Sequence, residues 1–239
     1  MKRSKITILL AIVLGMTFHS CLDLEPQDQL GGKNMWTSVN DYKQFANTFY
    51  SWTRDFSSVV YDGTHSDKRS DLITYQSYNE FSRGINSIPS SDANYTDNYK
   101  HIRRTNLLLQ NAEAYAKPED IKQYIGEAYF FRAYSYFDLL QLYGDVIITK
   151  KPLDITDPEM KVKRNDRSEV VDLIIDDLNH AVENLPAFKE LTTEEEGRIS
   201  KEGAQAFLSR VALYEGTWQK SRNGNQNTPR SANLLDIAS

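Results

Sequence analysis

The stretch Ile121–Tyr143 constrains this chain more than any other segment, because its apolar residues cover two adjacent helical faces at once. Tyr129, Ala133, Tyr136, Leu140 and Tyr143 recur at the spacing of one helical stripe, and Phe130, Tyr134 and Phe137 form a second beside it. An arc that wide cannot be satisfied by a single neighbour, so the helix must be packed on two sides. Gly144 stands where a helix of this length would end at a left-handed residue.

The rest of the chain supplies neighbours of the same kind. A helix is predicted from Ser38, with Tyr42, Phe45, Ala46, Phe49 and Trp52 at helical spacing. Another is predicted over Tyr99–Ala116, where Thr105, Leu108, Ala112 and Tyr115 share a face and Pro118 ends it. Ser168 reads as the N-cap of a helix lined by Val171, Ile174, Ile175, Leu178, Ala181, Val182 and Leu185, closed by Pro186. Ser200 reads as the cap of a last helix, Lys201–Lys220, with Phe207, Val211, Tyr214 and Trp218 in register. Ala128-x3-Arg132-x3-Tyr136 recurs as Ala206-x3-Arg210-x3-Tyr214, 78 residues on. Two helix pairs with a small residue at a close crossing predict an all-α, tetratricopeptide-like array, with the first helix packed across it. On this periodicity the stripe aromatics, Trp52 and Trp218 are core.

Residues 55–98 break the pattern. They are rich in Ser, Asp and Asn and carry off-pattern aromatics, the composition of a functional excursion or of a long irregular loop. Tyr61, Tyr75 and Tyr78 are the candidate ring-stacking residues, with Asp71, Asn79 and Arg83 as polar readers of a ligand; the same residues could equally pin the loop down.

The N-terminus points to a membrane surface. Lys2, Arg3 and Lys5 precede the apolar run Ile6–Leu14, which is too short to span a bilayer, and the chain's single cysteine, Cys21, follows Ser20. This is the layout of a lipoprotein signal, in which the cysteine thiol takes a diacylglyceryl group before cleavage. Phe18-His19 departs from the usual Leu-Ala at the head of that box. The expected organisation is a signal peptide over 1–20, a lipidated acidic tether over 21–36, a helical domain over 37–222 and a polar, poorly ordered tail over 223–239.

Charge and motif content exclude several classes. Without the signal the chain holds 25 basic against 33 acidic residues, a net of -8, and it has no basic stripe to meet nucleic acid. With one cysteine no intramolecular disulfide forms. His65, His101 and His180 stand apart in sequence, and no metal-ligand spacing, phosphate loop, nucleophile elbow or dinucleotide fingerprint occurs. His101 and His180 read as solvated or capping residues. Asp62, His65, Asp67 and Asp71 cluster, but not in the order of a helix–loop–helix calcium site. No catalytic residue, metal or cofactor is therefore assigned.

Three segments resemble the SusD/RagB-type outer-membrane lipoproteins of Bacteroidetes. They are Glu127-Ala-Tyr-Phe-Phe-Arg-Ala-Tyr-Ser-Tyr-Phe-Asp-Leu-Leu-Gln-Leu-Tyr-Gly-Asp-Val146, Arg167–Leu178 with Leu185-Pro186, and Gly203–Tyr214. Leu22-Asp23-Leu24-Glu25-Pro26 is similar to the acidic segment that sends such lipoproteins to the cell surface. Ile147 stands where the family usually has proline. Family members are about twice as long, so the chain reads as the N-terminal part of a longer protein. The resemblance implies a non-enzymatic lipoprotein, lipidated at Cys21 and facing the cell exterior. Such a protein binds an oligomeric nutrient, most readily a glycan, and passes it to a SusC-like TonB-dependent transporter. A surface glycoside hydrolase and a ligand-free tetratricopeptide adaptor are the alternatives.

Overall fold

The computed structural model describes residues 35–54, 80, 82–154 and 156–239. Residues 1–37 form a unit separate from 38–239, and of them only 35–37 are described. Cys21, the signal and nearly all of the tether therefore lie outside the described residues, as do Tyr61, Asp71, Tyr75, Tyr78 and Asn79.

Six α-helices occur among the described residues: α1 (Val39–Asn47), α2 (Ala93–Glu113), α3 (Lys122–Tyr143), α4 (Arg167–Asn184), α5 (Lys201–Arg222) and α6 (Pro229–Ala238). None of them is long and apolar enough to cross a membrane. The described residues contain no β-strand, only an isolated bridge between Val146 and Asn165. Each helix packs on its successor, α2 on α3, α3 on α4, α4 on α5 and α5 on α6, while α1 lies across α2 and α3. This is the all-α, tetratricopeptide-like layering that the periodicity predicts.

Helix α3 is buried on two sides. Ala128, Phe131, Ala133, Tyr136, Leu139 and Leu140 are nearly or fully inaccessible, and Phe130 and Phe137 are buried on the side of α5. A Cβ on Gly126 would stand 2.9 Å from Leu185 Cγ, so a side chain at this position of α3 would crowd the end of α4. Gly144 ends the helix at φ 71° and donates its amide to Leu140 O at 3.0 Å.

Buried ion pairs tie the layers. Arg132 on α3 binds Asp177 on α4 through both carboxylate oxygens, at 2.8 and 2.6 Å, and donates to Asn106 Oδ1 on α2 at 2.8 Å. Arg167 on α4 meets Glu215 on α5 at 2.8 Å. Arg198, in the turn before α5, clasps Glu127 on α3 at 2.7 Å through both oxygens. All three carboxylates are fully buried. Burial lifts the pKa of Asp177 and Glu127, and their arginine partners oppose that lift.

Several boundaries differ from expectation. Helix α2 starts six residues before Tyr99, because Asp92 accepts the Asn94 amide at 2.9 Å and caps it. It ends at Glu113, and Pro118 instead opens a 3₁₀ turn, Pro118–Ile121, that leads into α3. Helix α4 is capped by Asp166 rather than Ser168, with the Glu169 carboxylate accepting the Asp166 amide at 3.0 Å. The Ser200 cap is observed, and Ser38, where the first helix is expected to begin, caps α1.

The segment 223–239 is not a polar, poorly ordered tail. Only Asn223–Asn227 breaks the chain, with Gly224 and Asn225 both left-handed at φ 63°. Thr228 and Ser231 then cap α6 reciprocally, at 2.7 and 3.0 Å. Ser231 and Leu234 are buried, and Leu235 lies against Gly216 of α5. The repeat of Ala-x3-Arg-x3-Tyr also fails residue by residue. Ala128, Arg132 and Tyr136 are buried, whereas Ala206 and Arg210 are exposed and Tyr214 is half-buried. Arg132 reaches forward to α4, while Arg210 stands on the side of α5 that faces α3, one turn from Phe207.

Candidate functional site

The rings of α3 that do not face α2 or α4 meet the first half of α5, and a cavity of about 730 Å³ opens beside them. Phe130, Phe131 and Phe137 are buried in its floor. Phe207 of α5 packs on this aromatic row, 5.4 Å from Phe130, 5.7 Å from Tyr134 and 5.6 Å from Phe137. Tyr50, Tyr134 and Phe207 are half-buried, so part of each ring is open to a ligand. Arg54, Asp138, Gln141, Arg198 and Arg210 supply the polar groups.

The polar edge is built on Asp138, nine-tenths buried in α3. Arg54 Nη2 donates to its Oδ1, and Asn98 Nδ2 of α2 donates to its Oδ2 at 2.8 Å. The Arg54 amide donates to the Tyr134 hydroxyl at 3.4 Å. Beyond this bridge lies a second, smaller hollow of about 170 Å³, lined by Trp52, Asn94, Asp97, Asn98 and His101 and sharing Arg54, Tyr134 and Asp138 with the first. The other wall is held by Arg198, whose guanidinium lies 5.3 Å from the centroids of both Tyr50 and Tyr124 while it grips Glu127. Ile199 N donates to the Tyr50 hydroxyl at 3.0 Å, and burial, the largest cause, raises that phenol far above its usual pKa. Tyr50 is therefore a neutral phenol at physiological pH.

His101 is not simply solvated. Its ring stacks on Trp52 at 4.1 Å and 13°. Burial drives its pKa down to about 4; Asp97 opposes this, and Arg104 and Lys100 add to it. The depressed value means that this site stabilises the fold fully above pH 6.5 and ceases to do so as pH falls through 4. Urea midpoints taken between pH 7 and 4 are expected to fall more steeply for the wild type than for His101→Phe, which keeps the stacked ring. Parallel curves would refute this. His180 is half-buried and stacks on Tyr129 at 4.9 Å, which leaves Tyr129 only half-buried.

The residues expected to contact a ligand divide as follows. Arg83 is exposed in the turn 82–84 and does not line the cleft. The other five lie outside the described residues, but the excursion that carries them departs from the site. Arg54, its last described residue on one side, lines both hollows, and Asn94, Asp97 and Asn98, where the chain re-enters helix, line the smaller one. Sequence periodicity alone assigns Tyr134 and Phe207 to the core and overlooks Arg54, Asp138, Gln141 and Arg210. One signal was available: Tyr134, Asp138 and Gln141 follow each other at i, i+4 and i+7, a polar row inside the most apolar helix of the chain. Trp218, expected in the core, is more than a third exposed and lies between the guanidiniums of Arg167 and Arg222, each 4.4 Å from its ring. Among the described residues no three His, Cys, Asp or Glu side chains converge as a metal site would require.

Comparison with known proteins gives this geometry a family. A family described as "Starch-binding associating with outer membrane" matches residues 22–213. The SusD-like protein P38 of Formosa agariphila is 28% identical over 233 residues, covering 89% of this chain and 42% of that protein. A SusD-like protein of Bacteroides fragilis superposes with a TM-score of 0.65 at 25% identity, over 89% of this chain and 41% of that one. A solved structure titled as a laminarin-binding SusD-like protein is 28% identical, with a TM-score of 0.52 over 66% of this chain and 32% of its own. The chain thus spans less than half the length of the relatives it matches. With the match running from the residue after Cys21 into α5, the chain belongs to the SusD-like family.

Proposed function

We propose that this protein is a surface-exposed outer-membrane lipoprotein, lipidated at Cys21, that binds a glycan in the cleft between α3 and α5 and delivers it to a SusC-like TonB-dependent transporter. The observation that carries the binding half is the pairing of half-open rings with fixed polar groups. Tyr50, Tyr134 and Phe207 offer apolar faces to the C–H faces of a sugar, while Asp138, Gln141 and Arg54 stand where hydroxyls would need partners. Asp138 is already oriented by Arg54 and Asn98, so little side-chain order must be imposed on binding. Tyr61, Asp71, Tyr75, Tyr78 and Asn79 complete the proposed site from the excursion that departs beside it, with Arg83 at its far end. The family description and the laminarin-binding relative support a glycan as the ligand. The transporter and the lipid rest on the resemblance and on the sequence around Cys21. Labelled palmitate that survives Cys21→Ala would overturn the anchor.

Isothermal titration against a panel of oligosaccharides, with product analysis of the same samples, tests the binding half. Saturable heat without shorter products is expected. Tyr134→Ala should weaken the binding about 3- to 10-fold, the equivalent of one lost ring contact of roughly 1 kcal/mol. Shorter products would instead favour the hydrolase, and silence across the panel would favour the adaptor.

A further inference from the structure

Among the described residues the cleft holds more positive charge than its lining carboxylate neutralises. Among the described residues three arginines line it, Arg54, Arg198 and Arg210, against one lining carboxylate, that of Asp138. Arg198 is engaged by Glu127 from beneath, and Arg54 is engaged by Asp138. Arg210 is different. It is exposed on the face of α5 that also presents Gly203 and Phe207 to the cleft, and among the described residues no carboxylate stands within ion-pair distance of it. Arg132, its counterpart in the repeated Ala-x3-Arg-x3-Tyr pattern, is fully used by Asp177 and Asn106. Arg210 thus has no comparable structural employment.

Arg210 is also near Arg54. Burial is the main influence lowering the pKa of Arg54; the Tyr134 phenol opposes it, and repulsion from Arg210 adds to it. An anion bound between the two guanidiniums would relieve that repulsion. On a chain of net charge -5, this concentration of cations at an aromatic-walled cavity is a local reversal of sign. Guanidinium is also the side-chain group best matched to planar carboxylates and to sulfate-type oxyanions.

We infer that the cleft selects a glycan carrying an acidic group, a sulfate ester or a uronate carboxylate, with the sugar ring against Tyr134 and Phe207 and the anion between Arg54 and Arg210. The inference rests on the glycan-binding reading above and narrows it to a substrate class. It requires that affinity for the acidic glycan fall with added salt while affinity for a neutral one does not.

The test titrates the full chain with three oligosaccharides of equal length: a neutral β-glucan, a sulfated galactan and an alginate. The sulfated and uronate arms distinguish the two sources of the anion. Preference for at least one acidic oligosaccharide over the neutral one is expected, and it should diminish about tenfold in Arg210→Gln, largely return in Arg210→Lys, and weaken with salt. Because Arg210 is exposed and has no ion-pair partner among the described residues, the urea midpoint of Arg210→Gln should match the wild type. Equal binding of all three, or an acidic preference that Arg210→Gln leaves intact, would overturn the inference while leaving glycan binding in place. Failure to bind any oligosaccharide, across these and the wider panel, would overturn both.

Discussion

Replacing Asp177 by alanine is expected to lower the unfolding free energy by about 3–5 kcal/mol, because it leaves the Arg132 guanidinium charged inside the helical array. The side chains of Arg132 and Asp177 are 6% and 0% exposed, so water cannot take the carboxylate's place. Loss of Asp177 also loosens Asn106, which accepts from Arg132 and donates to Thr149 O at 3.0 Å and Lys151 O at 3.3 Å. One carboxylate on α4 thereby orders α2, α3 and the connection that follows α3. Replacing both partners together, Arg132→Met with Asp177→Leu, should cost much less than the single change, since no buried charge is then stranded. Urea unfolding of the two single variants and the double variant gives the coupling directly. A loss below about 1 kcal/mol for Asp177→Ala would contradict the assignment of this pair as the central tie of the array.

Glu127→Gln should destabilise by about 2–4 kcal/mol and weaken ligand binding as well. The carboxylate is fully buried and accepts from Nε and Nη2 of Arg198, at 2.7 Å each, while Nη1 donates to Asn47 Oδ1. Glutamine keeps the shape but cannot accept from both donors. Arg198 and Ile199 would then lose their fixed position against Tyr50, and with them one wall of the cleft. The expected signature is a joint loss of stability and affinity. Arg210→Gln, by contrast, should change affinity alone. A Glu127→Gln variant with wild-type affinity would show that the wall held by Arg198 takes no part in binding.

These two ties show where sequence reading succeeds and where it stops. Helical period and capping chemistry are local, so the all-α architecture, the two-sided burial of α3, the start of α1 at Ser38 and the Ser200 cap follow directly from residue order. The choice of Asp166 over Ser168 as a cap does not, because both residues can cap and only the position of Glu169 three residues on separates them. Helix α6 is hidden by composition. Its polar approach, Asn223–Asn227, dominates the average, although Leu234 and Leu235 still carry a short apolar stripe onto α5. The site is the least legible element. Tyr134 and Phe207 obey core periodicity, and whether a stripe aromatic is sealed or half-open depends on which helix passes beside it. That is a property of the packed array, set across 84 residues in the case of Arg54 and Asp138.

The central claim is that the α3–α5 cleft is where this chain meets its ligand. Hydrogen–deuterium exchange with and without a saturating oligosaccharide tests it most directly, because it reads location independently of affinity. Protection is expected over Tyr50–Arg54, around Tyr134–Gln141 and over Arg198–Arg210, extending into 55–79. Protection confined to Ile147–Leu153 and Glu159–Met160, which line neither the cleft nor the hollow beside it, would contradict the account.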